Sequence, residues 1–176
     1  MSLAITNRHE SNRENYVAWI TWTFVTAIAL SLVALIIGAP FAKASGHPSL
    51  AAAIYKGFGL VCHQLPDRSF HLAGHQFAVC SRCTGLYAGF AVAALSYPLA
   101  RSLKRTDTPS RVWLILAAVP LVVDFSLGYF SIWHNTHLSR FVTGALLSSV
   151  AVFYIMPGLI ELSSAIGRWF DRKIAT

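Results

Sequence analysis

The stretch YVAWITWTFVTAIALSLVALIIGA, Tyr16 to Ala39, contains no charged residue. A bilayer's hydrocarbon is about 30 Å thick, and about 20 apolar residues cross it as a helix. Lipid offers no water to free N–H and C=O groups, so a crossing segment must pair its own backbone, which a helix does. The run therefore reads as a transmembrane helix. A cleaved signal peptide is suggested by Ala42-Lys43-Ala44 before Ser45. It is the weaker reading, because the apolar core is too long and the segment before it is extended and mixed in charge.

Three further runs have the same character: about 84–100, about 112–132 with Asp124 as the one interrupting charge, and about 141–160. The chain of 176 residues is 55% apolar and 12% charged, with a mean hydropathy of +0.55. A soluble domain carries about a quarter charged residues, so this chain lacks the polar surface to coat a globule in water. The expected fold is all-α: a four-helix transmembrane bundle, one domain over 1–176. Its long outer loop, 40–83, contains a short interfacial helix at about Ser49–Val61, with Ser49 as its N-cap. The tail 161–176 alternates apolar and charged residues and is expected to lie on the inner membrane surface.

A net charge of +7 invites a nucleic-acid reading, but the positive residues flank spans that must sit in lipid. Arg8 and Arg13, then Arg101, Lys104, Arg105 and Arg111, then Arg168, Arg172 and Lys173 cluster at alternate span ends. The positive-inside tendency places both termini and the link between spans two and three in the cytoplasm. The chain is then a multi-pass protein of the cytoplasmic (inner) membrane, with loop 40–83 outside. Its partners are membrane lipids and a lipid-like or anionic substrate, not nucleic acid. Oligomeric state is not legible. Gly85 and Gly89 in span two, and Gly144 with Ser148 in span four, have the small-residue spacing that lets helices approach closely.

The outer loop ends in VCHQLPDRSFHLAGHQFAVCSRCTGLYAG, residues 61–89, which gathers all three cysteines and three of the seven histidines. Cys80 and Cys83 form a CxxC, and residues three apart on a helix share a face. Cys62 precedes Cys80 by seventeen intervening residues, so the pattern is about half of a zinc spacing. Zinc takes four ligands in a structural site, or three and an open position in a catalytic one. His63, His71 and His75 are the candidate fourth ligands. His71 and His75 would share a face if their segment were helical, an expectation that Gly74 weakens. Each histidine taken singly reads more readily as an ordinary interfacial group, whereas the three cysteines as a set read as ligands.

A redox reading competes. A CxxC outside the cytoplasm, with Arg82 between its sulfurs, has the setting of a lowered thiol pKa, and Cys62 is then a resolving partner. Asp124 within a span must face protein or water. Arg140 at the entrance to span four is its expected ionic partner, and Asp124 either locks the two spans or accepts a proton beneath the cysteines. Trp133, His134, Asn135 and His137 add polar groups to the same membrane face.

The motifs Cys62-His63-Gln64, Pro66, Arg68-Ser69-Phe70 and Cys80-x-Arg82-Cys83-Thr84-Gly85-x-Tyr87-x-Gly89 resemble a family of small multi-pass prokaryotic membrane proteins of unknown function. The later half is similar too, with Asp124 and then Arg140-Phe141-Val142-Thr143-Gly144. The resemblance covers roughly 55–148. It departs where Phe125 stands in place of a frequent glycine. It implies that the cysteines, Gln64, Arg68, Arg82, Asp124 and Arg140 act together, with Thr84 and Tyr87 beside them, and it implies no reaction.

The leading expectation is a metal centre, with zinc the expected ion, on Cys62, Cys80 and Cys83 plus His63 or water. If catalytic, it serves a hydrolase or transferase acting on a lipid-like substrate, with Asp124 moving a proton, Arg140 or Arg68 holding an anion, and Arg82 a further candidate of the site. The alternatives are a quinone-linked thiol-disulfide oxidoreductase using Cys80 and Cys83, and a small transporter or metal-handling protein.

Overall fold

The computed structural model describes residues 2–174, with side chains at 13–170, 172 and 173. The remaining positions of the expected 1–176 domain, and the side chain of Arg8, lie outside the described residues. Among the described residues, five α-helices follow one another: α1 (Ser2–Ala44), α2 (Pro48–Phe58), α3 (Ser81–Ala100), α4 (Arg111–Tyr129) and α5 (His137–Ile174). Among the described residues, four helices are long and apolar enough to cross a membrane: α1, α3, α4 and α5. The chain is a helical membrane protein.

Helices α3 and α5 form the central pair, because their small residues face one another. A Cβ added at Gly89 would lie 2.6 Å from the Ala145 Cα, and one at Gly144 would lie 2.5 Å from the Arg82 carbonyl oxygen. Ser149 Oγ donates to the Gly89 carbonyl at 3.1 Å, a bond that only such close backbones permit. Helix α1 packs alongside, and its Trp22 Nε1 donates to Ala94 O at 2.7 Å. Helix α4 leans on α5 and scarcely approaches α3. The buried side chains gather at the two ends of the bundle. Tyr97, Val152 and Met156 fill one end; Ile36, Ala39, Phe58, Ala78 and Val79 fill the other.

The loop between α1 and α3 folds down over this second end, and a proline explains where. Pro40 lies inside α1 and has no N–H to give to the carbonyl four residues back. The freed Ile36 carbonyl instead accepts the Ala78 N–H at 3.3 Å. The segment leading to Cys80 is thereby fixed to α1.

Three local expectations are corrected. The short helix starts at Pro48 with His47 as its N-cap and no side-chain cap bond. Ser49 is already inside it, because proline's fixed φ suits the first helical position. His71 and His75 stand on a two-stranded antiparallel hairpin, with His71 opposite Gln76 and Leu72 opposite His75. Ala73 and Gly74 between them have positive φ, 51° and 78°, which turns the chain back and excludes a helix. The tail forms no element of its own but continues α5 to Ile174. At 38 residues this helix is about 57 Å long, and its extension runs beside that of α1, where Arg168 meets Glu14 at 3.8 Å.

Candidate metal centre

Cys62 follows the end of α2, Cys80 is the N-cap of α3, and Cys83 lies in the first turn of α3. Their three Sγ atoms lie within 4.8 Å of one another. Tetrahedral zinc with Zn–S bonds of about 2.3 Å needs sulfurs about 3.8 Å apart, so a small inward movement closes the set on an ion. The cysteines are unlinked.

Two backbone N–H groups converge on the Cys62 sulfur. The Cys80 N–H points at Cys62 Sγ at 3.2 Å and the Gln64 N–H at 3.5 Å. Gln64 reaches this position with φ at 51°, and its side chain makes the bend worthwhile. Its amide nitrogen donates to Tyr55 O at 2.7 Å and to Ala78 O at 2.8 Å, bracing the end of α2 against the segment before Cys80. The Gln64 carbonyl in turn accepts from Gln76 at 3.2 Å, and the Tyr55 hydroxyl donates to Gln76 O. Beyond the brace, Ser69 Oγ donates to Leu65 O at 2.8 Å, and Phe70 packs against Phe77, His137 and Phe141. The Cys80 thiol is pulled down to about 5, first by the hydrogen bond from Cys83, against burial, with further help from Cys62 and the Arg82 backbone.

A cavity of about 610 Å³ opens against the cluster, with all three cysteines in its wall. Arg68, Arg82 and Arg140 line it as well, as do Phe125 and Tyr129 of α4 and Asn135 of the following turn.

The histidines stand apart from the sulfurs. Among the described residues, none joins the three-cysteine cluster. His63 is exposed on the cavity wall beside Cys62, where adjacency in the chain directs the two side chains differently. His71 and His75 stay on their hairpin. His137 shares a hydrogen bond with Ser81 Oγ at 3.0 Å, tying α5 to the start of α3.

The partner of Asp124 is Arg82, not Arg140. The Arg82 guanidinium bonds the Asp124 carboxylate, reaching from the first turn of α3 to α4. Phe125, the departure from the family pattern, lies under the same guanidinium at 5.5 Å from ring centre to Cζ, a cation–π platform. Asn135 donates its amide to the Asp124 carbonyl. Asp124 thus stands behind Arg82 as its counter-ion, outside the cavity wall. Thr84 and Tyr87 are also outside it. Thr84 Oγ1 donates back to Cys80 O at 3.1 Å, and Tyr87 packs edge-on against Phe58. The α4 residues Phe125, Gly128 and Tyr129 were not anticipated as cavity wall. Gly128 and Tyr129 lie three and four residues after Phe125, so the three share one helix face, and that spacing is the signal that would have found them.

The family model described as "Predicted membrane protein (DUF2085)" matches residues 62–154, more than half of the chain. An uncharacterized protein of Methanocaldococcus jannaschii is 35% identical over 113 residues, covering 64% of this chain and 72% of that protein. An uncharacterized protein of Methanothermobacter thermautotrophicus is 34% identical over 87 residues, 49% of this chain and 77% of its own. No solved structure matches. The chain belongs to the DUF2085 family of predicted membrane proteins.

Proposed function

We propose that the protein is a membrane metalloenzyme, a hydrolase or transferase, whose zinc ion is held by Cys62, Cys80 and Cys83. The observation that carries this reading is the placement of three mutually close sulfurs in the wall of a large cavity, with no histidine among the described residues joining their cluster. Three protein ligands and an open position are the arrangement of catalytic zinc rather than structural zinc. The ion would supply Lewis-acid polarisation of a water or substrate oxygen. The chain's own groups do the rest. N–H donors hold the Cys62 sulfur, Gln64 keeps the two cysteine-bearing segments in register, and Asp124 fixes the Arg82 guanidinium at the cavity wall. Asp124 is a positioning residue here, since Arg82 occupies its carboxylate.

The basic residues support an orientation with this centre on the extracytoplasmic side. Arg101, Lys104, Arg105, Arg111, Arg168, Arg172 and Lys173 all lie at the opposite end of the bundle from the cysteines, where positive-inside places the cytoplasm.

Zinc content and thiol reactivity, measured on the same detergent-purified sample, test the reading. About one zinc per chain, with cysteines that react only after chelation, is the expected result. In intact cells the same thiols should become open to a membrane-impermeant maleimide once chelator is added. Absence of metal, with two thiols recovered only after reduction, would overturn the metal reading and favour the thiol-disulfide alternative. Labelling only after the cells are broken would overturn the orientation.

A further inference from the structure

We infer that the cavity beside the cysteines binds the phosphodiester head of a lipid, whose chain lies in the apolar groove between α1, α3 and α5. The inference rests on the zinc reading for the charge of the cavity floor; the arginines and the groove stand without it.

Arg68, Arg82 and Arg140 share one cavity, and only Arg82 has a carboxylate partner there. Among the described residues, neither Arg68 nor Arg140 forms an ion pair with an acidic side chain. Cations held near one another without counter-ions repel, and at a membrane face such charge is retained where it meets an anion. Three guanidiniums against the one carboxylate of Asp124 leave two positive charges. Zinc on three thiolates carries a net single negative charge, which lowers the sum to one. A phosphodiester carries one negative charge and neutralises the cavity. Guanidinium forks match its paired oxygens in geometry as well as sign.

A second cavity, of about 600 Å³, lies between α1, α3 and α5, walled by residues such as Val25, Ile28, Phe90, Leu147 and Ile155. Almost nothing polar faces it. Leu86 lines both this groove and the arginine-bearing cavity, so the two adjoin. A charged chamber next to a dry groove within the span fits an amphiphile: head at the metal, chain along the helices. A free anion would use the chamber and leave the groove without purpose.

The test is native mass spectrometry of the full-length, zinc-loaded protein, with zinc counted on every sample. Three probes separate head from chain: phosphatidylglycerol, diacylglycerol with the same chains, and glycerophosphoglycerol. Phosphatidylglycerol is expected to bind more tightly than either fragment. Arg140→Gln and Arg68→Gln are each expected to weaken it about tenfold with zinc content unchanged, and Arg140→Lys to recover part of the loss. Ala151→Phe, which fills the groove, should weaken phosphatidylglycerol and diacylglycerol but not glycerophosphoglycerol. Zinc-loaded protein that binds phosphatidylglycerol no better than diacylglycerol, or whose arginine variants bind like the parent, overturns the inference and leaves the zinc reading standing. Glycerophosphoglycerol or inorganic phosphate binding as tightly as the lipid would overturn the lipid and leave a free anion. Arginine-dependent lipid binding by protein that holds no zinc would support the clamp and sink the metal reading.

Discussion

Cys80 performs two tasks that pull on one atom and its backbone. Its N–H steadies Cys62 Sγ, while its own thiol is drawn down to about 5, chiefly by the hydrogen bond from Cys83. An ordinary cysteine ionises near 8.5. In metal-free protein the folded value is therefore depressed, so the stability this group contributes is fully present above the ordinary value and is lost as pH falls through about 5. The thiolate is also the nucleophile. Alkylation of Cys80 by iodoacetamide in chelated protein should stay near its plateau at pH 6.5 and fall off around pH 5. A rate that instead titrates near 8.5 would show that the neighbouring thiol does not support the anion. Gln64 illustrates what sequence reading grasps at this scale. The motif placed it beside the cysteines, but its role as a brace depends on a positive φ and on two carbonyls, Tyr55 O and Ala78 O, distant in the chain. Nothing in the local residue types announces those partners.

Between elements, the ion pair of Arg82 and Asp124 ties α4 to α3, which otherwise barely meet. The pair is mostly buried, with 21% and 11% of the two side chains exposed. Removing one partner leaves the other charge uncompensated, which costs about 3–5 kcal/mol, whereas replacing both with apolar groups is often close to neutral. Thermal unfolding in detergent should therefore show large losses for Arg82→Leu and for Asp124→Leu, and a double variant more stable than the sum of the two predicts. Strictly additive losses would mean that the two groups do not act as a pair. The spans were legible because long uncharged runs leave no other structure available in lipid. The choice of Arg82 over Arg140 was not. Both arginines lie one helix away from Asp124 in sequence terms, and only the rotation of α3, set by Gly85 and Gly89 against α5, decides which one faces it.

Across the whole molecule, a single design places the chemistry. Small residues draw α3 against α5, Pro40 frees a carbonyl that fixes the loop between α1 and α3, and that loop delivers Cys62 to the start of α3. The three cysteines were legible as a set because nothing else in so apolar a chain concentrates soft ligands. The histidines were misleading for the same reason: proximity in sequence put them near the cysteines, but the hairpin at Ala73 and Gly74 carries His71 and His75 elsewhere. The cavity could not be read at all, since it is assembled from the loop before α3, from α3 and α4, and from the first turn of α5. An open three-sulfur zinc centre has a direct signature in zinc-edge X-ray absorption on the purified protein: three sulfur neighbours at about 2.3 Å and one oxygen neighbour at about 2.0 Å, with the oxygen shell changing when an anionic ligand is added. A fourth ligand that is sulfur, or a histidine ring whose signal no added ligand displaces, would contradict it.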